Sequence, residues 1–288
     1  MFKNPIWKHL AFGIVWAVCL SGLFVLMSFI GIKKASMLCH EVKIYIPGNQ
    51  YFVDRQEINS ILHVGGKNTL VGKNLDQINI HQLEKTLQAN PFIEFAKVYT
   101  DMDGVINVEV RQRQPILRVM NRFGQDFYVD QYGLKIPLSA NFTAPVLVAT
   151  GNIDEIFINR VDTLHTALAK ALFKTADFIR RDSLWDAQIE QITVAQNHEI
   201  ELTPRVGNQR ILLGSADSLE NKFKNLLIFY QKAMPKVGWG AYKVINIKYA
   251  NQVVGVKSDS LLQAEAAKPK KTVQDTNQII QDTIQNIH

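Results

Sequence analysis

Cysteine is nearly missing from this sequence. Its 288 residues hold two, Cys19 and Cys39. Two such residues exclude a disulfide framework, and no CxxC or Cys/His pattern offers a zinc set. The seven histidines (His9, His40, His63, His81, His165, His198, His288) never pair at ligand spacing. GxSxG, HExxH, GxGxxG and the phosphate-loop pattern are all missing. Gly214-Ser215 imitates the start of a nucleophile elbow, but Asp217 stands where a glycine is required. Asp101-Met102-Asp103-Gly104 lacks the further ligands of a calcium loop and reads as a turn. No catalytic residue, metal, cofactor or small-molecule substrate is expected. The formal charge of +6 is mild for this length. No dense basic cluster interleaves with aromatics, which argues against nucleic acid as a partner.

Charge is absent from one long stretch. Leu10 to Ile32 holds no charged residue. As a helix it reaches roughly 35 Å, enough for a hydrocarbon core of about 30 Å. A cleaved signal peptide has a shorter apolar region, and Lys33-Lys34 stand where its cleavage region would begin. A lipoprotein signal needs a small residue before its cysteine, and Leu38 precedes Cys39. The expectation is a single transmembrane helix over 10–32 behind a short tail, 1–9. Lys3 and Lys8 nearly balance Lys33 and Lys34, so charge leaves the orientation open.

Beyond the anchor the hydrophobic period changes. Val42 to Ile46 alternates as a strand and stops at Pro47-Gly48. Asp54 opens a helix with Glu57 in the capping-box position. A second helix spans Ile80–Ala89, stopped by Pro91. Phe92–Thr100 and Val105–Arg111 flank Asp103-Gly104, which signals a hairpin with a type I′ turn. The order over 40–112 is β-α-α-β-β.

Pro115 marks a junction, and 113–256 reads as a second domain. Short strands fall at 116–120, 127–130, 134–136 and 146–150. A helix follows with Leu164, Leu168, Leu172 and Phe178 on one face. A meander covers 189–194, 199–203 and 209–213. A second helix has Leu219, Phe223, Leu227, Tyr230 and Met234 in its stripe. Strands 242–249 and 252–256 close the domain around a turn at Ala250-Asn251. The last of these suits a sheet edge, whose unpaired backbone groups a partner strand can satisfy. Residues 257–288 read as a flexible polar tail. Asp-Ser/Thr-aliphatic triplets begin at Asp162, Asp182, Asp217, Asp259 and Asp282. They match a short O-glycosylation acceptor of Bacteroidetes and equally fit helix-cap chemistry.

The residues Tyr51-Phe52-Val53-Asp54, Asn90-Pro91-Phe92-Ile93 and Gln112-Arg113-Gln114-Pro115, in that order behind an anchor, resemble the bacterial cell-division family FtsQ/DivIB. Tyr128 to Leu138 is similar to the form found in Bacteroidetes. The family reads Glu-Arg-x-Pro where this chain has Gln112-Arg113-Gln114-Pro115. The resemblance implies an α+β fold: one N-terminal transmembrane helix, a β-α-α-β-β polypeptide-transport-associated (POTRA) domain, then a mixed domain on an extended, mostly antiparallel sheet. It implies a non-catalytic divisome scaffold with a cytoplasmic N-terminus and a periplasmic body at the septum, binding FtsB- and FtsL-like proteins. Carried over by position, the FtsB-like contact falls on Tyr249, Asn251, Gln252, Val253 and Val254, with Phe229, Tyr230 and Lys232 on the neighbouring helix. A second, recruitment surface falls on Tyr51, Phe52, Arg55 and Ile58. Two alternatives remain: a POTRA-bearing adaptor for secretion or envelope assembly, and a membrane-tethered enzyme of another type.

Overall fold

The computed structural model describes the backbone of residues 5–35, 37–48, 51–62, 70–249, 252–259 and 262–263. Two units divide the chain. Unit 1 is Met1–Gln114 with Ile136–Ala144, and unit 2 is Pro115–Lys135 with Pro145–His288. Helix α1, Pro5–Ala35, runs through the charge-free stretch. Among the described residues no helix is long and apolar enough to cross a membrane. The side chains described in α1 are those of residues 12–27, about 24 Å of helix at about 1.5 Å per residue. Both ends of the expected 10–32 span lie outside those described side chains.

In unit 1, β1 (Glu41–Tyr45), α2 (Arg55–Leu62), α3 (Ile80–Gln88), β2 (Ile93–Thr100) and β3 (Val105–Gln112) follow the expected order. The sheet runs β1-β3-β2, with β1 parallel and β2 antiparallel to the central strand. Asp54 starts α2 by accepting the Glu57 N–H at 2.7 Å. Glu57 does not return the bond as a capping box would; its carboxylate accepts from the Asn90 amide at 3.1 Å. The expected type I′ turn is also corrected. Gly104 has φ 80° whereas Asp103 is not in the left-handed region. Asp101 instead organises a longer loop, accepting the N–H groups of Asp103 and Val105 at 3.0 Å. Gly104 is required for space as well, because a Cβ there would lie 2.6 Å from the Leu38 carbonyl.

Three of the segments that carry the family resemblance meet in this unit. Buried Gln112 accepts the Val53 N–H at 3.0 Å and donates to the Val53 carbonyl at 3.2 Å. That exchange pins the entry to α2 against the end of β3. Phe52 stacks on Phe92 at 5.1 Å, and Phe142 meets the edge of Phe52 at 4.9 Å.

Unit 2 is built on one ten-stranded sheet. Its strands are β4 (Pro115–Met120), β5 (Asp126–Asp130), β6 (Leu134–Ile136), β7 (Leu147–Gly151), β8 (Asp162–Thr163), β9 (Ile189–Val194), β10 (Ile200–Pro204), β11 (Arg210–Gly214), β12 (Tyr242–Asn246) and β13 (Val254–Lys257). The spatial order is β13-β12-β11-β10-β9-β7-β4-β5-β6-β8. The sheet is mixed. It is parallel at β4–β7, β7–β9 and β11–β12 and antiparallel at joints such as β9–β10 and β12–β13.

The helices of this unit are α4 (Ala167–Arg181), α5 (Ser183–Gln188), α6 (Leu219–Lys232) and α7 (Met234–Val237). Helix α4 begins later than the apolar stripe suggests. Thr166 caps it by accepting the Ala169 N–H, and Leu164 is buried ahead of the cap. Asp182 likewise caps α5, accepting the Leu184 N–H at 2.9 Å. The triplet at Asp182 thus has the helix-cap geometry. Ile192, Leu202, Ile211 and Ile245 of the sheet and Leu172, Ile179, Phe223 and Leu226 of the helices are all fully buried in one core.

Candidate partner-binding edge

Strand β13 ends the sheet of unit 2 and has one neighbour, β12. The phase of its backbone follows from two bonds. Ile247 donates to the Leu212 carbonyl at 3.0 Å, so odd-numbered residues of this chain segment serve β11 and even-numbered ones face β13. Ser258 donates to the Ala241 carbonyl at 2.8 Å across the register shift between Tyr242 and Val244, so even-numbered residues of β13 face β12. Val254 and Val256 therefore turn their backbone groups toward Asn246 and Val244, their register partners. By alternation the N–H and C=O of Gly255 point off the open side.

Glycine at 255 also makes room for a neighbouring ring. A Cβ there would lie 2.6 Å from the Tyr242 ring. That ring packs edge-on against Phe229 of α6 at 5.2 Å. The contact draws the helix alongside the edge strand. Between them lies a shallow groove of about 350 Å³, bordered by Asn225, Ile228, Phe229, Lys232, Gln252 and Val253.

Four of the eight residues carried over for the partner contact thus share one groove: Phe229, Lys232, Gln252 and Val253. Val254 lies beside them on the strand with its side chain exposed, and Tyr249 is exposed near the end of β12. Asn251 lies outside the described residues. Tyr230 is a correction. It is buried against Trp185 and Trp239, so the helix turns it away from the groove. Burial pushes its phenol up to about 12, with Gln209 pulling the other way. Its place in the apolar stripe with Leu219 and Phe223 already marks it as core. Asn225, Ile228 and Ala233 line the groove without having been singled out. Their signal was weak, because Asn225, Ile228, Phe229 and Lys232 recur at helical spacing but mix polar with apolar.

The recruitment surface divides in the same way. Tyr51 and Arg55 are exposed, whereas Phe52 and Ile58 are core residues at 1% and 0% exposure. Phe52 and Ile58 hold α2 and its entry in place and present nothing to a partner.

Edge strand β2 of unit 1 is guarded. The Gln88 amide donates to the Ala96 carbonyl at 3.1 Å, and the Glu84 carboxylate accepts the Val98 N–H at 2.9 Å. Both side chains come from α3. They occupy main-chain positions that an added strand would need.

In the Gly214-Ser215 element, Ser215 donates its hydroxyl to the Asp217 carboxylate at 2.8 Å, and Ser218 in the left-handed region opens α6.

A family model described as FtsQ/DivIB, C-terminal related, matches residues 114–256. A second, described as a POTRA-like domain, matches residues 37–111. None of the curated proteins compared with the chain matches it.

Proposed function

We propose that this chain, which belongs to the FtsQ/DivIB family, is a non-catalytic division scaffold that binds FtsB- and FtsL-like partners by strand addition at β13. The observation that carries this reading is the coincidence of an open terminal strand with a groove on the adjacent helix. Main-chain bonding at Gly255 would supply affinity, and the groove between Phe229 and Val253 would supply side-chain selectivity. Lys232 at its rim favours a partner with an acidic residue beside its apolar anchor. Tyr51 and Arg55 remain as a smaller second surface for recruitment.

The chain is read as a POTRA domain over 40–112 followed by an FtsQ-type domain over 113–256, a reading supported by the matches over 37–111 and 114–256. Helix α1 is read as the membrane anchor, with the N-terminus cytoplasmic and the body periplasmic. Its support is the uncharged run from Leu10 to Ile32 and the exposure of Phe12, Trp16, Leu20, Phe24 and Met27. Such a row of large apolar side chains is costly in water and stable in lipid.

The test is capture of the extracytoplasmic parts of FtsB and FtsL by the full chain in detergent micelles. An Ile228→Asp variant puts a charge into the groove at a side chain that is already 40% exposed. Met102→Asp, at an 89% exposed residue of unit 1, is the control. Capture by the parent and the control, with roughly tenfold loss in a still-folded Ile228→Asp protein, is expected. No capture of the FtsB–FtsL pair by the parent would remove the division partners from this reading.

A further inference from the structure

A second cleft of unit 2, separate from the groove beside β13, is built for negative charge. It has a volume of about 810 Å³ and lies beyond the carboxyl ends of the parallel strands β11 and β12. Lys170 and Lys174 of α4 form one wall, Lys248 and Tyr249 the opposite end, and Lys222 of α6 reaches into it.

These four ammonium groups are not equally engaged. Lys248 is neutralised by the Glu199 carboxylate at 2.8 and 3.0 Å. Lys222 is buried, at 4% exposure, and donates to the carbonyls of Leu213 and Ser215 at 3.0 and 2.8 Å. Its bonds are satisfied, but its charge touches no carboxylate. Lys170 and Lys174 are exposed and have no carboxylate partner among the described residues. Asp217 is the other acid of the cleft, and its carboxylate accepts the Ser215 hydroxyl. Three cations are thus left to one acid, in a concave site whose walls concentrate the field.

We infer that this cleft takes an extended acidic peptide, which sets alternate carboxylates on Lys170 and Lys174. The spacing argues for a peptide rather than a small anion. One helical turn separates the two lysines by roughly 6 Å along the axis. Alternate side chains on one face of an extended strand lie roughly 6.8 Å apart. Each ammonium then has its own carboxylate, whereas a single small anion would gain little from two exposed ammonium groups. Leu168, Ala171 and Tyr249 give the peptide an apolar surface between its charges.

The experiment uses the full chain in detergent micelles and two fluorescein-labelled peptides of identical composition. One alternates four glutamates with four serines, and the other carries them as two blocks. Fluorescence anisotropy at low ionic strength reads binding. The alternating peptide should bind more tightly, and added salt should weaken it. In K170Q/K174Q its affinity should fall about tenfold, the size expected for two exposed charge contacts. K43Q/K97Q, which removes two exposed lysines of unit 1, should leave it unchanged. Equal affinity for the two peptides would overturn the proposal by reducing the cleft to unspecific attraction. So would undiminished binding by a K170Q/K174Q protein, or no binding of either peptide by the parent.

Discussion

At the scale of single residues, the strongest statement is a buried ion pair that nothing in the local pattern announces. Lys135 and Glu155 are each 1% exposed at the side chain and meet at 2.6 Å. The Glu155 carboxylate also accepts the N–H groups of His165 and Thr166 and the Thr166 hydroxyl. It therefore ties β6 to the start of α4. Burial pushes the Glu155 carboxyl up, but the bonds from Lys135, Thr166 and His165 outweigh it and hold the group below its ordinary value. A depressed folded value means the carboxylate stabilises the fold above the unfolded value of about 4.3. That contribution is lost as pH falls through the lower folded value. Lys135→Met leaves the carboxylate buried without its cation and should cost about 3–5 kcal/mol at neutral pH. Chemical denaturation checks the size, and repeating it toward acid pH should show the difference from the parent shrinking. An equal cost at every pH would mean that packing, not charge, is what the lysine supplies. In the sequence Lys135 stands in a short strand beside a turn and reads as a surface cation. Its burial depends on Glu155, twenty positions away, and no local period carries that information.

Element by element, the regular periods were legible. The β-α-α-β-β order of 40–112, the meander over 189–213 and the two long helices of unit 2 follow the expected spans to within a few residues. The misses have separate causes. Strand β8 is two residues long, too short for any alternation to show. The hairpin turn takes its shape from Asp101 rather than from Asp103-Gly104. Of the candidate edge, the terminal strand was legible from its place at the end of a run of alternating segments. The groove was not, because the Phe229–Tyr242 contact that forms it joins a helix to a strand ten residues further on. Edge protection belongs to this scale as well. Glu84 and Gln88 satisfy the β2 edge at little cost to stability, since both bonds lie near the surface. E84A/Q88A should therefore melt close to the parent yet self-associate, because it exposes a strand eight residues long. Sedimentation velocity over a concentration series would detect that association. A variant that stays monomeric would show that the side chains are not what keeps this edge closed.

For the molecule as a whole, the physical division of the chain departs from its linear order. Pro115 marks a change of unit, as its position after β3 suggests, but the chain returns to unit 1 at Ile136–Ala144. The returning segment brings Phe142 against the ring edge of Phe52 at 4.9 Å and near Tyr51 at 5.8 Å. A lone phenylalanine in a polar loop gives no periodic signal, so this return was not legible. Its consequence is that the core of unit 1 is completed by residues that follow β6 of the other unit. Phe142 is half-buried, so Phe142→Ala should remove about 1 kcal/mol, a fraction of what full burial contributes. The loss should also be local. Amide exchange should quicken at Val53, whose N–H is held by Gln112 beside the disturbed ring. Amides in β9 and β10 should exchange as in the parent, because their core residues Ile192 and Leu202 belong to the other unit's cluster. Equal acceleration in both units would mean that they unfold as one cooperative body. Acceleration confined to unit 1 would establish that a 40–112 fragment lacks part of its own core and is less stable than the same residues in the full chain.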